Sequence, residues 1–321
     1  MASSLSTSPL VLFSSLLLIL PFSSFAHHPP SPNITYHGGP ILTGNLNLAL
    51  IWYGRFGRVS KNAVRNFIKS LNYNAGANIQ PQVSSWWKVV ECYQEAAAKP
   101  VLPINVKVVK QVTDASYSIG KVITADFFKP LIEKATGGDP NIIPIIFTAR
   151  DVSLHNFCIQ SCSGHGVTLG NLANTSFFTP KLNSNADNKL YIWVGNPENE
   201  CPGTCAWPFH KADSGPVGMV LNPPNGNIGA DSMVVSFAQA FAEAVTNPFK
   251  TGFFEDALRN PIEIATACKG IFGSGALPGH AGKVLIDPAN GGGFNAHGSR
   301  GKKFLVPAIW DFKTKTCWTL M

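Results

Sequence analysis

The sequence predicts a single α/β domain: a mixed sheet with flanking helices, stabilised by disulfides. Three observations predict it. Apolar runs of strand length alternate with segments of helical period, with no internal repeat and no linker between them. Of the 321 residues, 45% are hydrophobic and only 13% are charged, so the chain must bury a large core, and intrinsic disorder is excluded. Six of the seven cysteines fall into two close-spaced pairs and a C-terminal pair. The 29 Gly and 24 Pro add many turns to this framework.

The elements follow in order. Residues 9–22 form an apolar run ending before Ser24-Phe25-Ala26, which reads as a secretory signal peptide cut after Ala26. The run is short for a bilayer span, and no stop-transfer segment follows. This leaves residues 27–321 as one domain with no membrane span. Residues 27–40 read as an extended leader, and 47–53 (NLALIWY) as a buried strand. Val59, Val64, Phe67, Ile68 and Leu71 recur at helical spacing. A second helix is expected from Ser84 or Ser85 through Ala98, stopped by Pro100. Residues 104–112 alternate as a half-exposed strand, 125–135 read as a helix ended by Gly137-Gly138, and 142–148 as a strand. Pro144 argues that this last strand is an edge strand or begins there. Further expectations are a strand over 190–194, a long helix over 232–246 capped by Asp231, a short helix over 262–271 and a final strand over 304–309.

Secretion makes the cysteines readable, because oxidising compartments favour disulfides. Cys158 and Cys162 form one C-x-x-x-C pair, Cys201 and Cys205 another, and Cys268 and Cys317 lie near the C-terminus. The first four, with His155, His165 and His210, could also be drawn as a zinc site, but zinc prefers C-x-x-C knuckles. The favoured pattern is one bridge within or between the two motifs and a Cys268–Cys317 link. Cys92 is left as a buried free thiol. Asn33-Ile-Thr and Asn174-Thr-Ser are glycosylation sequons.

The formal charge of +7 suits acidic surfaces or acidic polymers. Nucleic acid is not expected, because the basic run Arg300, Lys302 and Lys303 has no interleaved aromatics and reads as a solvated turn. There is no G-x-S-x-G elbow, no P-loop, no dinucleotide fingerprint, no EF-hand loop and no H-E-x-x-H. Cys92 has no base in its neighbourhood of the sequence, which disfavours a thiol protease. Trp86, Trp87, Trp193 and Trp207 could stack on sugar rings, but core packing is the favoured reading for each one singly.

Several collinear segments carry a resemblance. Tyr36-His-Gly-Gly-Pro-Ile-Leu-Thr-Gly44 leads into Ala49-Leu-Ile-Trp-Tyr-Gly54, and Trp86-Trp87-Lys88 follows. Then come Phe157-Cys-x-x-x-Cys162-x-x-His165-Gly166, Trp193-Val-Gly-Asn196 and Cys201-Pro-Gly-x-Cys205-Ala-Trp-Pro-Phe-His210. Pro224-Asn-Gly226, Asp231, Thr246-Asn-Pro248 and Gly301-x-x-Phe304-Leu-Val complete the series. Together these resemble the EXORDIUM-like, phosphate-induced-protein family of plants. The resemblance implies a secreted apoplastic protein associated with brassinosteroid-dependent growth and cell expansion.

One segment departs from the pattern of that family. Where many relatives have a His-Glu-x-x-Glu run, this chain has Gln239 and Ala240, and only Glu243 remains. His and Glu at i and i+4 share a helix face and would suit a zinc hydrolase, with the intervening Glu as base. If the family fold is zincin-like, this member lacks the first ligand and the base. A degenerate metallohydrolase would have to use Glu243, Glu263 and a histidine such as His280 or His297. The favoured reading has no cofactor and no catalytic residue. Met233, Phe237, Ala240, Phe241 and Ala244 then form a core stripe, and Glu243 belongs to an opposite polar stripe as a solvated or capping acid.

Overall fold

The computed structural model describes residues 32–155, 157–159, 161–168, 189–216, 218–257 and 261–321. The signal segment 1–26 and the sequon at Asn174 lie outside the described residues. The architecture is a five-stranded mixed sheet covered by helices on both faces.

Strand β1 (Asn45–Tyr53) is the spine of the sheet. Its alternation divides the two cores: Leu46, Leu48, Leu50 and Trp52 face one, while Ala49, Ile51 and Tyr53 face the other. A strand buried on both faces reads as a continuous apolar run, and so it does here. Gly54 ends β1 at φ +96°, and a Cβ there would lie 2.6 Å from the Ala149 side chain.

Helix α1 (Arg58–Leu71) buries Ala63, Val64, Phe67, Ile68 and Leu71 against the first core. Helix α2 (Val83–Glu91) adds Trp86, Trp87 and Val90 to the same core. It starts from Gln82 rather than from either serine, and it ends at Cys92. A separate turn, Tyr93–Ala96, takes up the rest of the expected helix. Strand β2 (Asn105–Asp114) pairs parallel to β1 along an edge of the sheet, which accounts for its exposed positions. Helix α3 (Phe128–Thr136) follows a single 3₁₀ turn, is stopped by Gly137 at φ +66°, and covers the second face.

Strand β3 (Ile142–Thr148) pairs parallel to β1. Strand β4 (Ser163–Thr168) and strand β5 (Lys189–Val194) complete the sheet, in the order β2-β1-β3-β5-β4, with only β4 antiparallel. β3 is therefore interior, not an edge. Its proline is tolerated because pairing with β5 begins at Ile145, one residue beyond Pro144. No strand was expected at β4, since two glycines in six residues weaken a strand pattern. Both lie under aromatic rings: a Cβ on Gly164 would come within 3.1 Å of Trp193, and one on Gly166 within 2.7 Å of Tyr191.

Helix α4 (Ile228–Thr246) is central to the first core. Among the described residues no helix is long and apolar enough to cross a membrane. The C-terminal part differs from expectation in two places. Residues 262–271 form no α-helix, only a 3₁₀ turn at Thr266–Cys268, because Ile262 exchanges both backbone hydrogen bonds with Glu255 and Ile264 accepts from Trp310 N. The expected strand over 304–309 is split into Lys303–Phe304 and Ile309–Asp311. Between them the Asn295 side chain takes the place of a ladder strand. It accepts from Val306 N (2.8 Å) and donates to the carbonyls of Val306 (2.8 Å) and Phe272 (2.7 Å).

Three disulfides staple this framework: Cys158–Cys201, Cys162–Cys205 and Cys268–Cys317. The two motifs are thus joined by two parallel bridges. Cys92 is unpaired and half-buried.

Candidate functional site

Helix α4 carries the segment that departs from the family pattern. Sixteen of its nineteen residues are buried, polar ones included. The two-stripe expectation is therefore corrected: Ser232, Ser236, Glu243 and Thr246 lie inside the protein, and Glu243 is only 5% exposed. The small residues Gly229, Ala230, Ala238, Ala240, Ala242 and Ala244 allow neighbours to pack on every side. Burial of a polar group without an internal partner costs several kcal/mol, and of these four side chains only the Ser232 hydroxyl is fully buried with none.

The helix start shows this. Asn227 is the cap, its side chain accepting from Ala230 N at 2.7 Å. Asp231, expected as the cap, lies in the first turn. It accepts from Asn225 N at 2.9 Å and Asn225 Nδ2 at 2.6 Å. Burial pushes its pKa up to about 6, with the hydrogen bonds from Asn225 pulling the other way.

The other end holds a cluster of acids. Glu243 accepts from the backbone N–H of Thr266 (2.7 Å) and from its hydroxyl (2.6 Å). Gln239, one turn earlier, donates to the same hydroxyl at 3.3 Å. Glu263 accepts from Asn247 Nδ2 (2.6 Å), and His165 Nε2 stands 3.0 and 3.2 Å from its two oxygens. Asn247 in turn accepts from Gly252 N, which turns the chain after the helix. Burial and the nearby Glu263 push Glu243 up to about 7, and the Thr266 hydrogen bonds oppose this. For His165, burial alone would lower the pKa, but the charges of Glu263 and Glu243 and the hydrogen bond to Glu263 raise it overall.

Glu243 and Glu263 thus meet in one cluster, and the histidine they meet is His165 of β4. His280 accepts from Gly282 N, and His297 sits edge-on to Phe294; neither hydrogen-bonds to the two acids. The role of His165 was missed because its partner is 98 residues away; only the neighbouring Cys162, which ties down β4, hinted at a fixed position.

This donor set does not fit zinc. Ala240 has no base, and the Gln239 amide is a poor ligand already bonded to Thr266. Both carboxylates are occupied by protein donors. Among the described residues no three or more His, Cys, Asp or Glu are grouped to hold a metal ion.

The other sequence candidates are scattered. Trp86 and Trp87 are each 1% exposed and donate to the carbonyls of Pro307 and Ile104, and Trp87 stacks on Phe241, so neither offers a platform to a sugar. Trp193 and Trp207 are half-buried. Asn33 is exposed, as a glycan acceptor must be.

The model of the phosphate-induced protein 1 conserved region matches residues 34–320. The chain belongs to this family. Among its relatives in the phosphate-induced protein 1 family, Protein EXORDIUM-like 2 of Arabidopsis thaliana is 39% identical over 288 residues, 89% of each chain. Protein EXORDIUM of Arabidopsis thaliana is 38% identical, over 90% of this chain and 89% of its own. Protein PHOSPHATE-INDUCED 1 of Nicotiana tabacum is 38% identical, over 93% of this chain and 92% of its own. No solved structure matches the chain.

Proposed function

We propose that this chain is a secreted, non-catalytic protein of the plant apoplast that takes part in brassinosteroid-dependent growth and cell expansion. The apolar N-terminal run with its Ser24-Phe25-Ala26 site supports secretion, and three disulfides suit an oxidising compartment. The growth role rests on the family resemblance. The observation that carries the non-catalytic part is the internal pairing of Glu243 with Thr266 and of Glu263 with Asn247 and His165. On this reading these carboxylates serve the fold, since each is taken up by donors of the protein itself. The partner would be an acidic wall polysaccharide or a cell-surface receptor, and the +7 charge favours the former.

The test is expression of the full chain in plant tissue, with recovery of extracellular fluid and measurement of cell elongation. The expected product begins at His27, carries glycan at Asn33 and Asn174, and promotes elongation equally well as wild type and as Glu243→Gln. Retention inside the cell would overturn the location. Loss of growth promotion by a Glu243→Gln protein of unchanged melting temperature would overturn the non-catalytic role.

A further inference from the structure

Helix α1 carries Arg58, Lys61, Arg65 and Lys69 and no acid at all. Lys61, Arg65 and Lys69 succeed one another at i, i+4 and i+8, so they share one side of the helix, where like charges repel. Burial, and after it the charge of Arg65, lowers the Lys61 ammonium below its ordinary pKa. Globular surfaces normally intersperse acids among such cations.

Beside this row lies a groove of about 600 Å³, between α1, the edge strand β2 and the turn at Ser299–Gly301. Arg65, Lys69, Lys107 and Arg300 line it, and no Asp or Glu does. None of the four takes part in an ion pair among the described residues. The volume is that of an ordinary ligand site, which runs roughly 300–1,000 Å³.

The backbone that carries the fourth cation is anchored beside the groove. Arg300 adopts φ 58°, ψ 36°, a left-handed conformation that a bulky residue rarely takes and that surrounding structure must enforce. The enforcing contact comes from α1 itself. Ser70 accepts from Ser299 N at 2.9 Å and donates to Asn66 O at 2.6 Å. Gly298 allows this approach, because a Cβ there would stand 2.5 Å from Ser70 Oγ. The turn keeps Arg300 and Lys302 exposed, as expected, while the contact at Ser299 ties its backbone to the rim of the groove.

We infer that this groove is a binding site for an acidic oligosaccharide. The four cations would receive its carboxylates. The amides of Asn66 and Gln111 would bond its hydroxyls; Gln111 accepts from Trp52 Nε1 and so keeps its two N–H donors for a ligand. No aromatic side chain lines the groove, which disfavours a single-stranded nucleic acid. The inference rests on the extracellular placement proposed above for where the ligand is met, and on the groove for its chemistry.

The test is calorimetric titration of the purified, oxidised full chain, from whatever compartment it is recovered, with a de-esterified oligogalacturonide, its fully methyl-esterified counterpart and inorganic phosphate. Two triple variants lower the net charge equally: Lys69→Gln/Lys107→Gln/Arg300→Gln in the groove, and Lys99→Gln/Lys129→Gln/Lys283→Gln at exposed sites outside it. The wild type is expected to bind the acidic oligomer in a salt-sensitive manner and to bind the ester and phosphate far more weakly. The groove triple should lose affinity by about tenfold or more, and the outer triple should keep it. Equal losses in both triples would reduce the effect to diffuse net charge and overturn the site. Absent binding, equal binding of the ester, or equal binding of phosphate would also overturn it. A failure of secretion would leave this titration untouched, so the two proposals fail separately.

Discussion

Around the end of α4 every carboxylate has a protein donor, whereas along α1 four cations have no acid. The first region is closed: Glu243 and Glu263 are 5% and 8% exposed and hydrogen-bonded to Thr266, Asn247 and His165. The second is open, and its charges repel one another. Polar chemistry that is satisfied internally serves the fold. Polar chemistry left unpaired at the rim of a cavity is what a ligand can use. In this member of the family the helix that draws the eye in the sequence belongs to the first kind.

The largest effect expected from this difference is at Glu263. Glu263→Ala strands His165 and the Asn247 amide inside the protein, and should cost about 3–5 kcal/mol in chemical denaturation. Glu263→Gln should cost less, because an amide oxygen still accepts from Asn247. A cost below about 0.5 kcal/mol for the alanine variant would place Glu263 with surface residues instead. Next comes the bridge beside Thr266. Cys268→Ser/Cys317→Ser opens a loop of 49 residues and should cost about 2–4 kcal/mol by the same measurement.

Acid titration sharpens the comparison through two buried carboxylates of opposite sign. Asp114, at the end of β2, is pushed up by burial but pulled down further by donors from Ser118, Lys134 and Ser116, to about 2. Its folded pKa lies below its ordinary 3.8, so its contribution is present above that value and lost as pH falls through about 2. The amount is about 2 kcal/mol. Glu243, at about 7, lies above its ordinary 4.5, so its contribution is present below 4.5 and lost as pH rises through about 7. His165, also raised, works in the same direction as Glu243. Stability measured against pH should therefore decline between about 4.5 and 7, and Glu243→Gln should flatten that decline. A profile that rises over this window would contradict the burial of a protonatable Glu243.

The smallest effect is expected in the groove. Lys69→Gln should change stability by less than about 0.5 kcal/mol, or raise it slightly by relieving repulsion from Arg65. A marked destabilisation would show that Lys69 is a structural residue.

Much of this was legible in the sequence where one element determines its own face. The core side of α1 apart from the exposed Val59, the two-sided burial of β1 and the stop at Gly137 all follow from local period and turn chemistry. The departure from the family pattern pointed to Glu243, and Glu263 was weighed beside it as a possible further ligand. Their partners were not legible, because His165 and Asn247 reach Glu263 from a distant strand and from beyond the helix end. The helix itself was misread: alternation of apolar and polar residues looks amphipathic until donors arrive from every side. The groove was equally hidden, since Arg300 joins Lys69 through a Ser70–Ser299 contact 229 residues apart in sequence. Cys158 and Cys162 could pair within their motif or across to the other, and only the packing of β4 against the following segment chooses the latter.

The central claim is that Glu243 and Glu263 are held by protein donors in place of a metal. It is tested most directly by zinc content and free-thiol count on the secreted chain, purified without chelators or metal affinity. The expected result is zinc well below stoichiometric and a single thiol, Cys92. About one zinc per chain, lost together in Glu243→Gln and Glu263→Gln, would contradict it.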